Sequence, residues 1–172
     1  MGIKTGNWWS RLGALASGRN ARPRPKPRGG ELMALKASEV KVGDVFSCVL
    51  VEDLKRTQIV QYAGASGDYN PLHTDEIFTK EVAGYPSVFA HGMLTMGMTA
   101  RLLTDTVGDG RLTRYGVRFT AQVWPGDDLS AKATVTVVSE VDGVPMAEFD
   151  VKTTNQDGVV VLSGSAAARL DP

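Results

Sequence analysis

The 172-residue chain is 42% apolar and 22% charged and has a single cysteine, which fits one soluble domain with a full hydrophobic core and excludes an internal disulfide framework. Its formal net charge is zero, but residues 1–30 hold seven basic groups and no acid, which leaves 12 basic against 19 acidic residues in the rest. An acidic body lacks the basic footprint that nucleic-acid binding requires, so no nucleic-acid partner is expected.

Residues 1–33 read as a basic, Pro-rich, disordered tail, and residues 34–172 as the folded domain. Three readings fit the tail: an organellar presequence, a stiff solvated linker running from Arg22 to Gly30, or a segment upstream of a true start at Met33. The stretch around Trp8, Trp9, Leu12 and Leu15 is too short and too charged to span a membrane, and no secretory signal pattern is present. A cytoplasmic setting is therefore expected, or an organellar one if residues 1–30 act as a presequence.

Lys41 to Asp44 reads as a turn, and Val45 to Val51 as a strand in which Cys48 is expected to be a buried, inert thiol. Thr57 is expected to cap a short helix carrying Ile59, Val60, Tyr62 and Ala63, stopped by Gly67. A second helical patch is predicted over Asp75 to Val82, ended by Gly84 and Pro86. His91 to Val107 then reads as one long helix, apolar on nearly every face and so expected to be buried on all sides. From Leu112 onward the period becomes two. Val117, Phe119, Ala121 and Val123 alternate with polar residues, as do Leu129, Ala131, Ala133, Val135 and Val137. Turns are expected at Pro125–Asp128, Asp142–Gly143 and Asn155–Gly158, with further strands near 146–154 and 159–169.

One strand, short helices, one buried helix and four antiparallel strands describe an α+β architecture. A curved antiparallel sheet wrapped around one long central helix satisfies both hydrophobic patterns, and that is a single hot-dog fold. Such a unit leaves an edge strand and part of its helix uncovered, which favours a homodimer or a heterodimer with a related subunit.

Chemistry concentrates in Ser66-Gly67-Asp68-Tyr69-Asn70-Pro71-Leu72-His73. Gly67 breaks the preceding helix, and Asp68, Asn70 and Pro71 favour a bend. Across that bend a carboxylate and an imidazole, five residues apart, can reach one pocket and handle the protons of one water molecule. A turn with no chemistry fits the same residues. Ala90-His91-Gly92-Met93-Leu94 opens the long helix. Its first-turn N–H groups have no helical partner, and Gly92 leaves room for a ligand carbonyl. A glycine that merely lets the helix start under a crowded sheet fits equally, and His91 is read as structural. Two histidines and one cysteine do not make a ligand cluster, so no metal is expected. Arg111, Arg114 and Arg118 could meet a phosphate, although arginines on a solvated strand face commonly serve solubility alone.

The strings from Tyr62 to His73 and from Phe89 to Leu94 closely resemble the hydratase motif of MaoC-like dehydratases, and the resemblance runs from about Val40 to Leu170. It implies reversible hydration of trans-2-enoyl thioesters to (3R)-hydroxyacyl thioesters, carried on CoA or acyl carrier protein, without a cofactor. By that resemblance Asp68 and His73 activate the water, Asn70 supports the site, and the Gly92 N–H polarises the thioester carbonyl. Thr79 departs from the Ala or Ser usual at its position. A hot-dog thioesterase, a silent partner subunit and an acyl-binding module are the alternatives.

Overall fold

A flat sheet of five strands is about 19 Å wide, while one helix with its side chains is only about 10 Å across. In a computed structural model of the protein, describing residues 35–172, a single helix nevertheless touches both edges of a five-stranded sheet. The expectations that fall on residues 1–33 lie outside the described residues. The strands are β1 (Val45–Val51), β2 (Leu112–Phe119), β3 (Leu129–Val141), β4 (Val144–Thr154) and β5 (Val160–Arg169), in the spatial order β1-β3-β4-β5-β2. All neighbours are antiparallel. The helices are α1 (Arg56–Ser66), α2 (Pro71–Thr74) and α3 (Gly92–Val107). Because α3 contacts β1 and β2 as well as β3 and β5, the sheet must curl around it, which is the hot-dog fold.

Small side chains permit this close wrap. Under the C-terminal half of α3, where Leu102, Leu103 and Val107 point down, the sheet offers Ala131, Ala133, Ala147, Ala166 and Ala168 beside the larger Val135, Phe149 and Val151. A second cluster packs the N-terminal half: Leu54, Ile59, Ala90, Val123, Leu129, Val161 and Leu162, edged by partly buried Leu94, Met96 and Met98. The buried face of α3 also carries Thr95, Thr99 and Thr106. Thr99 and Thr106 return their hydroxyls to the carbonyls of Thr95 and Leu102, and Thr99 meets the Thr153 hydroxyl at 2.8 Å. The β3–β4 reversal at Asp142-Gly143 has positive φ at both residues, 51° and 76°, the tight turn whose twist matches antiparallel strands.

Five local expectations are corrected. The helix α3 is covered on one side only: Met93 is 56% exposed, and Gly97, Arg101 and Asp105 continue the same open row at four-residue spacing. One chain's sheet cannot close around the whole helix. Cys48 is exposed on the edge strand β1, not buried. Val137 is 41% exposed because Thr136 is an extra residue in β3: the pairing passes from Val135–Phe149 to Val137–Glu148. Such a bulge turns every later side chain to the other face. Thr57 lies within the first turn of α1, whose cap is Lys55. Over Asp75–Val82 the chain forms a five-residue π-helical turn, Phe78–Val82, with only a short helical lead-in. Among the described residues, no helix is long and apolar enough to cross a membrane.

Candidate active site

The bend after α1 is built from its own side chains. Gly67 ends the helix with φ 75° and returns its N–H to Ala63 at 3.0 Å, a conformation that side chains resist. The Ser66 hydroxyl accepts the Asp68 N–H at 3.2 Å, and an Asp68 carboxylate oxygen accepts the Asn70 N–H at 3.3 Å. Asn70 caps α2 by accepting the Leu72 N–H at 3.0 Å, with Pro71 in the first helical position. Thr79, fully buried, donates its hydroxyl to Asp75 at 2.6 Å and lies 3.3 Å from the Pro71 carbonyl. It therefore braces α2 from the π-helical turn.

This scaffold aims His73 inward. Its Nδ1 lies 2.7 Å from the Phe89 carbonyl, and a carbonyl only accepts, so Nδ1 carries the proton and Nε2 keeps a free lone pair. Burial pushes the His73 pKa below its usual value, outweighing the opposing Phe89 bond; the neighbouring His91 lowers it further and Asp68 raises it. The ring is accordingly neutral near pH 7, with a base at Nε2.

His91 caps α3 and is 2% exposed. Its Nε2 lies 3.0 Å from the Asp68 carbonyl, so by the same reasoning Nε2 is protonated. Its Nδ1 is buried with no hydrogen-bond partner. The two imidazoles stack, centroids 3.8 Å apart and planes at 27°, and Tyr62 lies 5.0 Å from His91. Phe89, Tyr85 and Trp124 extend the aromatic wall.

At the head of α3, the His91 carbonyl accepts the N–H groups of Leu94 and Thr95. Among the described residues, the Gly92 and Met93 amides have no partner, so two N–H donors remain at the positive end of a sixteen-residue helix. A Cβ built on Gly92 would meet three ring atoms of Phe119 at 2.9–3.0 Å. Phe119 itself is 50% exposed at the end of β2.

The bend thus brings Asp68 and His73 together: atoms of Asp68, His73 and His91 lie within 4.8 Å of one another. Two histidines and a carboxylate are also a metal-ligand set, which counting histidines and cysteines alone had passed over. A water molecule placed between the same atoms would meet acceptors on Asp68 and on His73 Nε2. Arg111 and Arg114, candidates for a phosphate, are paired with Asp171 and with Glu148, the latter at 3.1 Å. Sequence reasoning missed the part His91 takes in this constellation. It also missed the contact of Phe119 with Gly92, for which the alternating strand pattern held no signal.

Residues 37–157 match the family model of the MaoC like domain. The chain is 43% identical over 68 residues to 3-hydroxyacyl-thioester dehydratase Y of Mycobacterium tuberculosis, covering 38% of this chain but only 23% of that protein. It is 30% identical over 135 residues to the mitochondrial 3-hydroxyacyl-[acyl-carrier-protein] dehydratase of Arabidopsis thaliana, covering 76% of this chain and 78% of the relative. Among solved structures, an (R)-hydratase from A. caviae superposes with a TM-score of 0.67 at 26% identity, over 76% of this chain and 97% of that one.

Proposed function

Because the chain belongs to the MaoC-like dehydratase family, we propose that it is a hydro-lyase that adds water to trans-2-enoyl thioesters, giving (3R)-hydroxyacyl thioesters, or runs the reverse dehydration, in fatty-acid metabolism. The observation that carries this reading is the Asp68 carboxylate beside a histidine whose Nδ1 is committed to a backbone carbonyl and whose Nε2 is free.

In this proposal the thioester carbonyl rests against the free Gly92 N–H. Charge drawn onto that oxygen leaves C3 electron-poor, and the fixed amide stabilises the enolate-like transition state. Water held between Asp68 and His73 Nε2 adds its oxygen to C3. The pair takes one proton from the water and returns one to C2, so it ends in its starting state. Asn70 supports the site by fixing the bend. No step draws on a cofactor or a metal. The thioester handle is CoA or an acyl carrier protein.

The open row of α3 and the two edge strands support pairing with a second hot-dog unit, either a copy of this chain or a related subunit. The cytoplasm is the proposed setting, or an organelle if residues 1–30 serve as a presequence.

The deciding experiment follows enoyl-thioester absorbance on mixing the protein with crotonyl-CoA and with a long-chain enoyl-CoA. Turnover that collapses in both Asp68→Asn and His73→Gln supports the reading. Turnover that survives both changes removes this pair from the chemistry.

A further inference from the structure

His91 is the one buried titratable side chain at the site that the mechanism above does not use, and its bonding is peculiar. It is almost wholly buried, yet one ring nitrogen has no partner. A buried lone pair left unmatched is destabilising, and a hydrocarbon ring would fill the space without that cost. Packing alone therefore does not account for a histidine here.

What the imidazole does, and a hydrocarbon would not, is bond and stack at once. Its Nε2–H reaches the Asp68 carbonyl at 3.0 Å across 23 residues of sequence. Its face lies on His73 at 3.8 Å between centroids. These contacts tie the bend that carries Asp68, and the ring of His73, to the head of α3, where the free Gly92 amide lies one residue on. A chain break or slack at any of these three points would let the water-holding groups and the carbonyl-holding amide drift relative to one another.

We propose that His91 is a positioning residue: it registers the Asp68/His73 pair to the head of α3 through its bond to the Asp68 backbone and its stack on His73. This deepens, and rests on, the hydratase reading above. The titratable side chains placed against the stacked pair are Asp68, from the bend, and Tyr62, from α1. A proton arriving on His73 would sit against the His91 ring, so removing that ring also changes how readily His73 accepts one.

Two variants separate the contacts. His91→Phe keeps a flat ring and loses the donor. His91→Gln keeps a donor near the Nε2 position and loses the ring. With crotonyl-CoA, each is expected to lower kcat at least tenfold while KM changes less than threefold, with the acid limb of the pH profile moved upward. Nitrogen-15 spectra of the histidine side chains supply a readout independent of turnover. In the parent, His73 is expected as the Nδ1–H tautomer, held by the Phe89 carbonyl; in His91→Phe that tautomer is expected to stay, while the ring nitrogens change their shifts and titrate at higher pH.

If the His73 ring nitrogens keep their shifts and titration in both folded variants, the proposal falls, whatever the change in rate. A fall in activity matched only by a fall in folded fraction, with His73 unchanged, likewise reduces His91 to packing. If the parent turns over no enoyl thioester while His73 responds as described, the hydratase reading fails and the positioning role stands.

Discussion

The ring of Phe119 lies against Gly92 so closely that a single methyl group on Gly92 would come within 2.9 Å of two of its carbon atoms. The glycine that opens α3 is therefore required by a neighbour as well as by any ligand. Gly92→Ala is expected to push Phe119 aside or shift the head of the helix, lowering kcat/KM about 100-fold, as small misplacements of binding groups do. Adding Phe119→Ala makes room and is expected to recover a large part of the loss. If the double variant is as poor as Gly92→Ala, the clash is not what limits the single change.

Asp68→Asn and His73→Gln are each expected to lower kcat/KM by a factor on the order of 100 to 10,000, the range for removing a positioned acid or base. Asp68 is exposed and His73 only half-buried, so melting curves of both variants are expected to stay close to the parent's. Rates measured beside those curves distinguish lost chemistry from lost structure.

The pH dependence follows from the depressed pKa of His73, caused first by burial. Its unfolded value is about 6.5. As pH falls through 6.5 the unfolded chain takes up the proton before the folded one, so this group's contribution to stability is present above 6.5 and declines on acidification. The free base at Nε2 persists in the folded state over the same interval. The acid limb of kcat/KM is accordingly expected below pH 6.5; a limb at or above that value would contradict the assignment of His73 as the titrating group.

Thr99→Val is expected to destabilise the fold by about 1–3 kcal/mol, because it leaves the buried Thr153 hydroxyl without its 2.8 Å partner. Thr99→Val with Thr153→Val removes both hydroxyls and is expected to lie closer to the parent than Thr99→Val alone. Urea denaturation of the parent, the two single variants and the double variant measures the coupling.

Gly97 lies on the open row of α3, and nothing stands within 4 Å of a Cβ placed there. Gly97→Arg is therefore expected to leave the single unit folded while blocking a second unit from covering that row. Sedimentation velocity across a concentration series is expected to show association in the parent and a monomer in the variant.

The sequence disclosed the fold well where a pattern was long. Strands β3 to β5 and the extent of α3 follow from periodicity over ten or more residues, and the turns from Asp142-Gly143 and Asn155 to Gly158. It failed where one local event resets a pattern. Nothing in the run around Thr136 marks it as the bulged residue that turns Val137 outward. The all-round apolarity of α3 reported what the helix can bury, not what one chain covers. At the site, Asp68 and His73 were legible because the bend that unites them is written in neighbouring residues. The stack of His73 on His91 was not, because it depends on how α2 and α3 meet in space. Nor was Phe119, which reaches Gly92 from 27 positions away.

The alanine-lined stretch of sheet beneath α3 leaves the two halves of the helix unequal in the variation they can accept. Beneath Leu102, Leu103 and Val107, five alanines beside Val135, Phe149 and Val151 set the height of the helix, so a larger replacement at an alanine would lift it and carry the attached Gly92 amide away from Asp68 and His73. Beside Leu94, Met96 and Met98 the cover is partial and the side chains are pliable, so replacements there alter the room beside the helix without moving its axis. Under the proposed function, a lineage of such chains is thus free to change the length of acyl tail it accepts along the flank of the helix, while the ground below it is held still.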